Sequence, residues 1–254
     1  MKRFNLIPII SFLSLFIFNA NAQDSTEVQE PRFRSIQLNY GFGFMKTDFS
    51  TLNSRLNQIG LKSLPENIHA FNIGYSGYIQ RILLSSYFQY YQGGIVTNSN
   101  NTNMNFSGFG FGHIVGYTIL DKKNYRIAPY AGLNVNFSKL KLTDKSTANN
   151  FSALQDSQSK GREIEFTNLA LDLGVEADKL IFVKNKSSWT HAHTAPYVSL
   201  GIKIGYMFRL DNSESSKGTI NNKTIEDAPV FGLNGPYIKL NIGLGNKIRQ
   251  MKWK

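Results

Sequence analysis

Ser35-Ile36-Gln37-Leu38-Asn39-Tyr40-Gly41-Phe42-Gly43-Phe44 alternates large apolar or aromatic residues with small or amide ones. Successive side chains on a strand point to opposite faces, so such a pattern describes a strand with two unlike sides. Over 35–46, Ile36, Leu38, Tyr40, Phe42 and Phe44 share one face, and Gln37, Asn39, Gly41 and Gly43 share the other. The same period of two recurs over 69–80, 106–119, 128–138, 166–177, 197–209 and 236–248, and in a looser form over 83–96. The clearest copies set Leu169, Leu171, Leu173 and Val175 against Asp172, Gly174 and Glu176. In the same way Val198, Leu200, Ile202 and Ile204 stand against Ser199, Gly201, Lys203 and Gly205. Eight strands result, several of them reaching the roughly 9–11 residues that a tilted strand needs to cross a bilayer.

The composition of the two faces decides which one meets solvent. The non-apolar row is mostly Gly, Asn, Ser and Tyr, with few charges, whereas a sheet facing water carries more Lys and Glu. Small residues suit the narrow interior of an eight-stranded barrel, whose lumen is filled by side chains. The Leu, Ile, Val and Phe row then faces lipid. A sheet in hydrocarbon must close, because each unpaired N–H or C=O at an open edge costs several kcal/mol. The sequence therefore predicts an all-β fold: an eight-stranded antiparallel transmembrane β-barrel with long extracellular loops.

The rest of the chain fits that class. It has 254 residues with 19 Phe, 12 Tyr, 21 Gly, no Cys and a formal net charge of +11. The missing Cys excludes disulfides, thiolate metal sites and Cys nucleophiles. Lys2 and Arg3 precede an apolar run to Phe18, and Ala20-Asn21-Ala22 offers a small-residue cleavage site. Residues 1–22 thus read as a secretory signal peptide, 23–34 as a polar periplasmic lead-in, and 35–254 as the barrel domain. The predicted links 47–68, 139–163 and 210–235 are long and 97–105 is medium. Those near Arg81 and at 121–124 are tight. Long loops outside the cell and short turns within is the outer-membrane pattern; 178–195, with Trp189, His191 and His193, is a long link where a turn is expected. In the first loop, Leu52, Leu56 and Ile59 follow Asp48 and Ser50 at helical spacing, which predicts a short amphipathic helix, packed as a lid on the barrel mouth or lying at the lipid interface, with a partner-binding helix as the alternative. The Ser-, Asn-, Thr- and Lys-rich segments 144–161 and 211–227 read as solvated surface.

The segments Ser35–Lys46, Asn72-Ile73-Gly74-Tyr75, Pro129-Tyr130-Ala131-Gly132-Leu133, Gly174-Val175-Glu176-Ala177, Gly201–Tyr206 and 236–248 together resemble the PorT-like outer-membrane barrel family, a neighbour of the OmpA/OmpX-type small barrels. The resemblance implies an eight-stranded barrel in a Gram-negative outer membrane. For some members it also implies a part in type IX secretion. Such barrels often end on an aromatic residue, whereas here Trp253 is followed by Lys254.

Chemistry is sparse. Asp172 and Glu176 fall on the inner face of the sixth strand, Lys203 on that of the seventh and Lys239 on that of the eighth. Buried charges persist when paired, so these four are expected to form one ion-paired network closing the lumen; a gate for small ions or a carboxylate acid–base pair is the alternative. His191 and His193 share a strand face but are too few to make a metal site, and no metal or cofactor is expected. His113 falls on the lipid face between Phe111 and Val115, with no Ser two residues away as in lipid A deacylase barrels. No Ser–His–Asp set or phosphate loop stands out, so no catalytic residue is assigned. The basic residues are scattered and the chain is exported, which argues against nucleic acid and for anionic lipid or lipopolysaccharide headgroups as partners. The expected role is that of a non-enzymatic outer-membrane barrel contacting the cell's surroundings or periplasmic proteins. A secretion accessory and a lipid-modifying enzyme at His113 are the alternatives.

Overall fold

The computed structural model describes residues 33–58, 60–97, 102–122, 124–144, 162–183, 194–210, 219–220, 223–224 and 232–249. The predicted signal peptide and all but the last two residues of the lead-in lie outside these. So do His191, His193 and Trp189, most of 144–161 and 211–227, and the C-terminal Trp253-Lys254.

Eight long strands form the wall: β1 Phe33–Lys46, β2 Asn67–Ile79, β3 Ile82–Gln92 and β4 Thr102–Tyr117. They continue with β5 Tyr125–Asp144, β6 Arg162–Phe182, β7 Thr194–Arg209 and β8 Gly235–Arg249. Each pairs antiparallel with its neighbour in the chain, and β8 returns to pair β1 from Phe33↔Arg249 to Met45↔Tyr237. The cylinder is therefore closed, and the ladder groups of each strand find partners on both sides along its membrane-facing length. One end carries the tight turn at Gln80, which adopts φ +57° between Ile79 and Ile82.

Polarity along the wall changes in character from one end to the other. From the Gln80-turn end through the middle of the strands the apolar residues point outward: Ile36, Val115 and Leu240 are 63%, 59% and 63% exposed. The inward-facing Gln37, Asn134, Asn168 and Lys239 are buried. Toward the end opposite the Gln80 turn the sense reverses. Lys139 and Lys141 point outward while Leu140 faces in; Glu163 and Glu165 point outward while Phe166 faces in; Asn105 lies outward beside buried Met104 and Phe106. The lower and middle wall thus has the surface of a protein in hydrocarbon, and the upper rim that of a small soluble barrel with an apolar core.

That upper core is sealed by the loop between β1 and β2. Its helix α1, Ser50–Gln58, buries Leu52 and Leu56 in a cluster with Met45, Phe49, Leu64, Ile68, Phe106 and Met207. Asp48, two residues before it, accepts a hydrogen bond from the Ser50 N–H at 2.9 Å, which satisfies one of the donors a helix start leaves open. The helix ends where Gly60 takes φ +78°. There the Gly60 N–H donates to the Asn57 carbonyl at 3.0 Å and the Leu61 N–H to that of Leu56 at 2.9 Å, a Schellman closure that glycine permits at no steric cost. Of the placements expected for this helix, the lid on the mouth is the one observed; Ile59 lies outside the described residues.

Strand ends differ from the sequence reading. β5 runs to Asp144 and β6 starts at Arg162, well beyond the expected limits of 138 and 166. The polar alternation Lys139-Leu140-Lys141-Leu142 is strand in the reversed sense, held by ion pairs from Lys139 to Glu163 (2.7 Å) and Glu165 (3.3 Å). At the other end β6 continues to Phe182, so the expected long link 178–195 shortens to 183–193.

Candidate functional site

The lumen is built by a space rule visible in the register. Tyr87 stands opposite Gly112, Tyr130 opposite Gly174, Tyr237 opposite Gly205 and Tyr197 opposite Gly245. A methyl placed on Gly205 would lie 2.6 Å from the Tyr237 hydroxyl, and one on Gly245 2.6 Å from the Tyr197 ring. Each glycine therefore makes the room in which a neighbouring tyrosine lies across the lumen.

The charged side chains sit among these rings. Glu176 and Lys203 are direct cross-strand partners and pair at 3.0 Å, with the Tyr78 hydroxyl donating to Glu176 at 3.2 Å. Asp172 accepts from the Tyr87 hydroxyl at 2.7 Å and the Tyr237 hydroxyl at 2.6 Å. Asn134 in turn donates to Tyr87 at 2.8 Å, and Tyr237 bonds Tyr130 hydroxyl to hydroxyl. Lys239 donates to Gln89 at 3.1 Å and lies over the Tyr237 ring at 4.6 Å, without a carboxylate in ion-pair reach among the described residues. Of the four charges singled out in the sequence, Glu176 and Lys203 meet directly. Asp172 and Lys239 are joined through Tyr87 and Tyr237, whose hydroxyls donate to Asp172 and whose rings lie under the Lys239 ammonium.

Two members were missed. Arg126, 4% exposed, pairs with Asp178 at 3.0 Å, donates to Gln37 at 2.7 Å and Ser35 at 3.2 Å, and stacks 3.4 Å above the Tyr78 ring. Asp178 shares the parity of Asp172 and Glu176, but the predicted strand stopped one residue short of it. Arg126 lay between a predicted turn and the next predicted strand. Among the described residues, three acids and three bases are thus buried in the lumen. An opening between them is a cavity of about 10 Å³, lined by Asn39, Asn72, Tyr87, Lys203, Lys239 and Asn241 among others, about one water in size. A packed, charge-balanced column of this kind fills the barrel.

On the outer surface His113 does have a serine. Its Nδ1 lies 2.8 Å from the Ser86 hydroxyl, the cross-strand partner in an unbroken β3–β4 register. Ser86 is the middle of the outward row Ile82, Leu84, Ser86, Phe88, Tyr90, so the pair satisfies two polar groups at mid-band depth. Among the described residues no three His, Asp or Glu side chains cluster as a metal site would require.

No family model matches the chain. No curated protein matches it either. Among solved structures, it is similar in fold to Ail, the attachment invasion locus protein of Yersinia pestis, in complex with the heparin analogue sucrose octasulfate. That match is 13% identical, covers 87% of this chain and 100% of that one, and has a TM-score of 0.40. A major outer membrane protein from Thermus thermophilus is 14% identical over 85% of this chain and 99% of its own, with a TM-score of 0.42. Neisserial surface protein A is 10% identical over 85% and 97%, with a TM-score of 0.32.

Proposed function

We propose that the protein is an integral outer-membrane barrel, non-enzymatic and non-conducting, whose capped outer rim meets the cell's surroundings. The reversal of polarity along the strands carries this reading: apolar outside and polar inside through the middle, polar outside and apolar inside at the rim. A closed barrel with an exposed apolar band is the outer-membrane type. The non-conducting part rests on the tyrosine-and-charge column and on the α1 lid. The non-enzymatic part rests on the Ser86–His113 pair, which lies in mid-band without a described carboxylate to orient the imidazole.

The resemblance to PorT-like barrels would add a role in secretion, with the connection around 184–193 as docking element. It is the second reading, carried only by unspecific glycine–aromatic alternation. Reconstitution tests the first. The purified protein should migrate differently on gels before and after boiling, insert into lipid vesicles, and leave planar bilayers at baseline conductance. Steady open-channel currents would overturn the sealed-lumen reading, and a water-soluble monomer would overturn the membrane reading.

A further inference from the structure

Toward the Gln80-turn end, the outward face of the described residues carries two exposed lysines in one cross-strand row, Lys122 and Lys179, on either side of Tyr125. Of the two, Lys179 on β6 points out of the barrel among the apolar Val175, Ala177 and Ile181 of its own strand. A charged residue on the lipid face of a barrel is unfavourable by about 2–4 kcal/mol at the midplane and by about 0–1 near the interfaces. An ionisable residue at such a place marks a site unless something neutralises it. No described carboxylate pairs with it.

Lys179 also stands over a depression. In its own cross-strand row it lies between Tyr125 on β5 and Leu200 on β7; in the next outward row Ala177 lies between Ile127 and Ile202. The short alanine between two isoleucines leaves a groove of about 620 Å³ open to the outside, within the roughly 300–1,000 Å³ of small-molecule sites. The groove's outward side chains are apolar apart from Lys179 at its rim, while the buried, inward-facing Arg126, Asp178 and Asn241 also border it. Tyr125 opens β5 right after the turn that follows Lys122, at the end opposite the capped rim. Aromatic residues at strand ends mark the membrane interface, so the Lys179 ammonium lies within reach of the headgroups on that side.

We propose that this groove is a specific site for one glycerophospholipid of the periplasmic leaflet, its phosphate on the Lys179 ammonium and an acyl chain over Ala177. The inference rests on the membrane reading above. Charge complementarity selects the phosphate, and the apolar floor excludes free phosphate as the ligand. The position near the turns, away from the capped rim, selects a phospholipid over lipopolysaccharide.

The test uses full-length protein purified in detergent, stripped of lipid and titrated with dioleoyl phosphatidylglycerol, bound lipid being counted by native mass spectrometry. The wild type should take up one lipid. Lys179→Met should weaken uptake at least tenfold, and Ala177→Leu, which fills the floor while keeping the charge, should do the same. Phe71→Leu, on the far wall, should leave it unchanged. Dioleoylglycerol, which lacks the phosphate, should not compete. A wild type that binds no lipid in preference to the far-wall background overturns the proposal, as do two site variants that bind like it, or lipopolysaccharide displacing the phospholipid. Should Lys179→Met fail to fold, Ala177→Leu and the phosphate-free lipid decide. Heat-dependent gel mobility, followed in parallel, reports on the membrane reading independently of lipid uptake.

Discussion

Glu176 and Lys203 show how much a single position in the lumen can matter. Both are nearly buried, so removing one partner leaves the other charge uncompensated, at a cost of about 3–5 kcal/mol. Lys203→Met should accordingly lower the unfolding free energy of the barrel in micelles, read from urea titration, by that amount. The double variant Lys203→Met/Glu176→Gln should recover much of it, because the stranded carboxylate is gone. Lys139→Met at the rim removes ion pairs whose side chains are 37–57% exposed on the glutamate side; exposed pairs are worth about 0–1 kcal/mol, so its urea midpoint should barely move. Equal effects from the two lysines would contradict the layering described above. Glycine is tested in the same assay: Gly205→Val drives a side chain into the Tyr237 hydroxyl, and overpacking of this kind costs about 1–3 kcal/mol. The pairing of Glu176 with Lys203 was within reach of parity counting, because both lie in clear alternations. Arg126 and Asp178 were not, since each sits where the outward apolar signal had already faded.

At the scale of elements, α1 decides whether the mouth is open. Its length of nine residues is too short for independent stability, so packing of Leu52 and Leu56 into the rim core holds it. Leu52→Ala/Leu56→Ala should release the loop, read as new protease cleavage between 47 and 66 on intact cells. Single Leu→Ala changes in a packed core cost about 2–5 kcal/mol. Asp48 adds a pH dependence. Hydrogen bonds from the Ser50 side chain, and then from its backbone N–H, hold the Asp48 carboxyl below its ordinary value of 3.8. A group lowered on folding stabilises the folded lid above its unfolded value and stops doing so as pH falls through the folded one. Protease access should therefore rise below about pH 4, and Asp48→Asn, which keeps an acceptor but does not titrate, should abolish that pH step. The lid was legible from Leu52 and Leu56 at helical spacing behind Asp48. The Schellman closure that stops it needed the observed φ of Gly60.

For the molecule as a whole, the seal has two independent parts, the charged tyrosine column and the rim core under α1. Removing the lid alone should leave bilayer conductance at baseline, because the column still fills the lumen. Combining the lid variant with Lys203→Met/Glu176→Gln should produce brief, small openings if the variant stays folded by gel mobility. Currents from the lid variant alone would mean that the column does not seal. Ion pairs, rings and glycines thus make the interior of a narrow barrel do the work that a hydrophobic core does in a soluble protein.

The period of two, the tyrosine- and glycine-rich inner row and the leucine, isoleucine and phenylalanine outer row were enough to set the strand count, the closure and the lipid-facing side. Each is a local pattern that hydrocarbon makes obligatory, because an open edge would leave backbone N–H and C=O groups unpaired in lipid. Strand ends were decided only in three dimensions, because Lys139-Leu140-Lys141-Leu142 keeps its alternation while exchanging the meaning of its two faces as the wall leaves the membrane. The partners of Asp172 and Lys239, the serine beside His113 and the groove under Lys179 also waited on the register. Each depends on which residues of different strands stand side by side, a relation set by the stagger of neighbouring strands around the cylinder and by no single stretch of chain.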